Sequence, residues 1–268
     1  MQEPYYSPRG IYYRKNEFRP DRKTIVFLHG LSGSSSAWEA YEKALGGKYN
    51  IVTFDLRGHG KSRKYKKYED YAVNEFVEDI HEIATTLQLP PFCLVSHSFG
   101  TIIALEFIHQ HQKSVSSAIF LSPLLDVKKT RWVFTMNILL GWFAQAVTFF
   151  PFSTKPGNHI NYEKYKNTGD WNIGRMFADI SNTGIRIYFF CLRQIYQFHE
   201  NDDWMRVAVP TLILHGTNDS ISPIANGRKI AKMIKKSEFI ALNGANHVLV
   251  LNNPQETISA IEVFLATH

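Results

Sequence analysis

Apolar residues fall into two rhythms along this chain. Short, mostly apolar runs at 25–28, 51–54, 92–95, 118–121, 212–214 and 238–242 are bounded by glycine, proline or polar clusters. Runs of that length read as strands buried on both faces. Between most of them the apolar positions recur every three or four residues. Val73, Phe76, Val77, Ile80, Ile83 and Leu87 share one helical face, while Glu75, Glu78, Asp79 and Glu82 are expected outside it. Pro223 opens a further helix to about Lys235, and Pro254 opens the last, with Ile258, Ile261 and Phe264 turned inward. Ahead of the first run, Pro8-Arg9-Gly10 reads as the turn of a short hairpin. Strand alternating with helix predicts an α/β fold with a mostly parallel central sheet flanked by helices.

The alternation breaks between about Leu124 and Val207, a stretch rich in Trp, Phe and Tyr without strand signals. We therefore divide the chain into a core of residues 1–123 and 208–268 and an inserted helical cap, 124–207. Positions 132–154 carry no charged residue, a length that would suit a membrane span. Asn137, Gly141, Gln145 and Pro151 interrupt the run, and a crossing there would put the polar strand ends before and after it on opposite sides of a bilayer. A cap lying over those ends is the consistent reading, with Trp142 and Phe143 expected to line an apolar pocket.

Ser98 stands in Ser96-His97-Ser98-Phe99-Gly100, between a strand pattern and a helix pattern. A serine at such a turn holds its hydroxyl clear of the backbone, beside the free N–H groups and positive dipole end of the helix. Serine also caps ordinary helices, so the signal gains weight from the loops after other strands. The run ending at Leu214 leads into His215-Gly216-Thr217-Asn218-Asp219, and the run ending at Leu242 leads into Asn243-Gly244-Ala245-Asn246-His247. In a parallel sheet these ends share one edge, so Ser98, Asp219 and His247 can converge.

That order resembles the α/β-hydrolase superfamily, whose catalytic triad runs Ser, Asp or Glu, then His. The resemblance extends upstream to His29-Gly30 after the first core strand, and to Asp55-Leu56-Arg57-Gly58-His59-Gly60-Lys61-Ser62 after the next. One departure is Ser96, where the family's elbow pattern G-x-S-x-G begins with glycine; a tight but workable turn is expected. The resemblance implies Ser98 as nucleophile, His247 as general base and Asp219 as the acid that orients it. It also implies an oxyanion hole from the backbone N–H groups of Leu31 and Phe99, and a pocket that includes His29 and Gly30. Asp219 is preferred over Asp126, which follows the strand before the cap. Asp55, His59 and His97 are read as structural, and His215 as supporting. A serine nucleophile excludes the family members that form esters on aspartate. The expected reaction is hydrolysis of carboxylic esters with a hydrophobic acyl or aryl group through an acyl-enzyme. A carbon–carbon bond hydrolase and a slow-turnover ligand receptor are the alternatives. An aminopeptidase would need a cap carboxylate; Glu163, Asp170 and Asp179 are available, and none stands out.

The 268 residues suffice for one large core plus a small insertion. Neither the two cysteines, Cys93 and Cys191, nor the eleven histidines show metal-ligand spacing, so no metal or cofactor is expected. The charge of +6 is spread along the chain apart from Arg63-Lys64-Tyr65-Lys66-Lys67, read as a solvated loop. The expected partner is a small hydrophobic ester, with no nucleic acid. Membrane-surface contact by an exposed patch is a third reading, open but not expected, and the oligomeric state is open. The amino terminus lacks the charged and apolar stretches of a secretory signal, giving a cytoplasmic expectation.

Overall fold

The computed structural model describes residues 2–124, 131–198 and 205–268. Its strands are Gln2–Tyr6 (β1), Tyr12–Lys15 (β2), Thr24–Leu28 (β3), Asn50–Phe54 (β4), Phe92–His97 (β5), Val115–Leu121 (β6), Thr211–Gly216 (β7) and Ser237–Leu242 (β8). They form one sheet in the order β1-β2-β4-β3-β5-β6-β7-β8. β1 and β2 make the antiparallel hairpin, with Gly10 at a φ of 74° in its turn, and β2 pairs antiparallel with β4. From β4 to β8 every pairing is parallel, so the loops after β3, β5, β7 and β8 all leave from one edge.

Burial on both faces explains the apolar runs of the inner strands. The run at 238–242, expected to be buried likewise, forms edge strand β8 and leaves Glu238 and Ile240 exposed, because among the described residues no further strand covers that side of the sheet. Along β3, Val26 and Leu28 enter one core cluster while Ile25 and Phe27 enter the other; Leu94 against Cys93 and Val95 repeats this on β5. Helices Glu39–Leu45 (α1), Val73–Thr86 (α2) and Phe99–His111 (α3) pack on the sheet, as do Ile224–Met233 (α7), Leu249–Asn252 (α8) and Pro254–Thr267 (α9). α2, α3 and α7 feed the first cluster through Phe76, Ile80, Ile102 and Ile230, and α1 and α9 the second through Tyr41, Leu45, Ile261 and Phe264. Between β6 and β7 lie Arg131–Ala146 (α4), Ile173–Thr183 (α5) and Ile185–Gln197 (α6). Among the described residues no helix is long and apolar enough to cross a membrane.

One helical position departs from its expected face. Asp79 belongs to the polar stripe of α2 by periodicity, yet its side chain is 2% exposed. Arg57, from the loop after β4, grips it with two bonds of 2.7 and 2.6 Å, and Arg9 adds a third of 2.7 Å. Two guanidinium groups from distant loops thus bury a carboxylate that local pattern assigns to solvent. Asp79→Ala would leave the buried Arg57 charge without its main partner. A loss of about 3 kcal/mol is expected, measured by urea unfolding.

Candidate active site

Ser98 joins β5 to α3 with φ 52° and ψ −117°, a left-handed backbone conformation that side chains rarely adopt. Close packing enforces it. A Cβ on Gly100 would lie 2.7 Å from the His29 carbonyl oxygen and 3.0 Å from that of Leu28, so only glycine lets α3 approach β3. A Cβ on Gly30 would meet His97 Nδ1 at 2.9 Å and Ser98 Cβ at 3.2 Å. Ser96, in place of the pattern's first glycine, is fully buried at the end of β5.

The Ser98 hydroxyl lies 2.9 Å from His247 Nε2, and His247 Nδ1 lies 2.8 Å from Asp219 Oδ2. A carboxylate facing Nδ1 sets the proton on that nitrogen, leaving Nε2 to accept from the serine. Asp219 Oδ1 accepts the N–H groups of Ile221 (3.0 Å) and Ser222 (2.7 Å). Burial by itself would raise the Asp219 pKa. The hydrogen bonds from His215 and His247, the His247 charge and the Ser222 N–H outweigh it and hold the carboxyl far below its usual range. His215 Nε2 lies 3.2 Å from Asp219 Oδ2 and donates to the Ser222 carbonyl at 2.8 Å, bracing the same loop.

The neighbouring histidines have other partners. His97 donates from Nε2 to the His247 carbonyl at 2.9 Å, and burial lowers its pKa to about 3. His29 is pushed down to about 4 by burial; its Nε2 accepts the Leu56 N–H at 2.9 Å, tying the loop after β3 to the loop after β4. Leu31 continues the β3 loop into the cavity wall beside Ser98. The Phe99 N–H opens α3 and so has no acceptor within its own helix. Asp55 is buried, accepting the N–H groups of Ser35 (2.6 Å) and Lys61 (2.7 Å) and facing His159 Nε2 at 2.9 Å. Asp126 lies outside the described residues.

Ser98 and His247 open on a cavity of about 420 Å³, which His29 and Gly30 also line. Trp142 and Phe143, expected there, are not part of its wall: they are 75% and 53% exposed on α4. That helix packs inward through Leu140 and Ala144, a spacing that turns Trp142 to the opposite side and leaves Phe143 beside the buried stripe, stacked on Phe189 of α6. The apolar wall comes instead from Met176 and Ile180 of α5, Leu192 and Ile195 of α6, and core residues such as Ile221 and Leu251. Met176 and Ile180 stand one turn apart, a spacing visible in the sequence but overshadowed by the aromatic wealth of α4.

Sequence reasoning named Asp170 only as an available carboxylate and gave it no role. Its Oδ1 accepts the His247 N–H at 2.8 Å, and its Oδ2 accepts the Ser220 N–H at 2.9 Å and hydroxyl at 2.7 Å. Nearby, the Thr168 carbonyl accepts the side-chain amides of Asn246 and Asn252, both at 2.9 Å. The helical insertion is therefore fastened to the loops that carry both Asp219 and His247. No local pattern marks these bonds, because each joins residues some fifty or more positions apart in chain order.

A family model for the alpha/beta hydrolase fold matches residues 23–254, and the chain belongs to this family. Among its curated relatives is a non-heme chloroperoxidase from Kitasatospora aureofaciens, 26% identical over 249 residues, 85% of this chain and 86% of that protein. A monoacylglycerol lipase from Homo sapiens is 26% identical over 264 residues, 93% of this chain and 77% of that protein. The solved structure of a thermophilic esterase from Thermogutta terrifontis shares the fold with a TM-score of 0.75 at 16% identity, over 99% of each chain.

The strained elbow and the anchored histidine each have a measurable consequence. Ser98→Gly should be more stable than Ser98→Ala by about 1 kcal/mol in thermal unfolding, since both lose the hydroxyl and only glycine relieves the positive φ. Asp170→Ala should cost about 2 kcal/mol by leaving the buried His247 N–H unpaired; faster hydrogen exchange at His247 and Val248 would be its local signature.

Proposed function

We propose that the protein is a serine hydrolase that cleaves carboxylic esters carrying a hydrophobic acyl or aryl group. The observation that carries the proposal is the unbroken chain from Ser98 Oγ through the His247 ring to Asp219, with spacings of 2.9 and 2.8 Å. The reading is supported by family membership and by relatives named as a lipase and an esterase. In this reading residues 124–207 act as a cap whose helices close an apolar cavity over the nucleophile.

His247 Nε2 takes the Ser98 proton as Oγ attacks the ester carbonyl. Asp219 remains ionised and stabilises the imidazolium that results; the transferred proton stays on His247. The N–H groups of Leu31 and Phe99 receive the oxyanion, aided by the positive end of α3, each such donor contributing about 3 to 4 kcal/mol. His247 then protonates the departing alcohol, and a water activated by the same nitrogen releases the acid from Ser98. Because burial keeps His29 and His97 neutral above about 4 and 3 respectively, neither competes for that proton near neutral pH.

Steady-state hydrolysis of p-nitrophenyl esters from acetyl to palmitoyl tests the proposal. Turnover is expected to peak at one acyl length and to fall about a thousandfold or more in Ser98→Ala. Turnover that survives the substitution intact would remove Ser98 from the mechanism.

A further inference from the structure

The cavity wall supplied by α5 is apolar at Met176 and Ile180, yet an ion pair interrupts it. Arg175 and Asp179 lie one turn apart and both line the cavity, with Arg175 Nη1 3.4 Å from Asp179 Oδ2. Asp179 Oδ1 accepts the hydroxyl of Tyr162, a third lining residue, at 2.9 Å. Burial raises the Asp179 carboxyl to about 6, and the Tyr162 hydrogen bond and the Arg175 charge offset this only in part.

These contacts leave the group undersatisfied for its setting. A carboxylate has about four acceptor positions, and Asp179 fills one well and one at long range. Buried charges in apolar surroundings are kept paired and hydrogen-bonded. Acceptor capacity left on the wall of a substrate cavity is capacity for a ligand. The reaction at Ser98 makes no use of it.

Charge selects the ligand. With Asp179 ionised the pair is neutral, one anion beside one cation. A substrate ammonium would approach Arg175, and a substrate carboxylate would approach Asp179, each giving back in repulsion part of what it gains. A neutral hydroxyl meets no repulsion: its O–H donates to the carboxylate, and its oxygen accepts from the guanidinium.

We propose that Asp179, Arg175 and Tyr162 form a binding site for a free hydroxyl group of the substrate, making hydroxyl-bearing esters the class this cavity prefers. The inference rests on the ester-hydrolase reading of Ser98. It adds to that reading a polar anchor on the cap, placed on the same cavity as the nucleophile.

The test compares matched pairs of esters on the intact protein. The monooctanoate of ethylene glycol against propyl octanoate places the hydroxyl on the alcohol half. Ethyl ω-hydroxyoctanoate against ethyl octanoate places it on the acyl half. In one of the pairs the hydroxylated ester is expected to be preferred by about 10- to 100-fold in kcat/KM, the effect of one hydrogen bond to a charged group. That ratio is expected to fall towards one in Asp179→Asn and to shrink in Tyr162→Phe. Each ratio is taken within one preparation, so partial unfolding of a variant cancels. Equal rates on both pairs in the unmodified protein would overturn the hydroxyl site while leaving the esterase standing. So would a preference that survives in both variants. Failure to hydrolyse any of the four esters would overturn the esterase reading and this inference together.

Discussion

Parallel pairing from β4 to β8 is the constraint on which the rest depends. Antiparallel neighbours would send successive loops to opposite edges; parallel ones send them all to the same edge. β3, β5, β7 and β8 therefore deliver His29-Gly30, Ser98, Asp219 and His247 to one rim. The crossover helices that parallel strands require cover both faces of the sheet. The central strands β3 and β5 are therefore buried along their length, whereas β8 at the sheet edge alternates with exposed positions such as Glu238 and Ile240. The same pairing fixes the depth of each loop through its register, with Ser96 beside Leu28 on one side and Phe120 on the other.

Carboxylates hold the loops in place on this rim. Asp55 gathers the loop after β4, Asp79 draws in Arg57 and Arg9, Asp170 joins the insertion to the loops of Asp219 and His247, and Asp219 orients the imidazole. Each is buried, and each accepts several N–H or guanidinium donors. Buried anions so well supplied cost less than their desolvation suggests and define geometry more sharply than apolar packing does. Asp179 is the exception: it has fewer donors, one hydroxyl and one guanidinium at 3.4 Å. A carboxylate less completely satisfied than its neighbours, on the wall of a cavity, is the difference expected between a structural group and one left open for a ligand.

The aromatic surface of the insertion gives a counterexample to reading function from composition. Trp142 and Phe143 look like pocket residues because they are large, apolar and close in sequence to the insertion's start. Their helix instead buries its smaller residues, Leu140 and Ala144, and leaves Trp142 outside. Phe143 stacks on Phe189 of α6 at 5.6 Å, so part of that surface joins the insertion's helices to each other.

What could be read along the chain was everything governed by local periodicity and by order. Mostly apolar runs implied the strands, though not that the last would be half exposed at the sheet edge. Three-and-four spacing implied the covering helices, and Ser98, Asp219 and His247 each came after a strand. Those properties depend on residues a few positions apart, so they survive without a third dimension. Tertiary structure alone decided the rest: the burial of Asp79 by two arginines, the reach of Asp170 to His247, and the choice of Met176 and Ile180 over Trp142 and Phe143 as cavity wall. Each involves partners that meet only when distant parts of the chain are laid together at the sheet edge. Periodicity says which side of a helix is apolar; it does not say which neighbour that side will face.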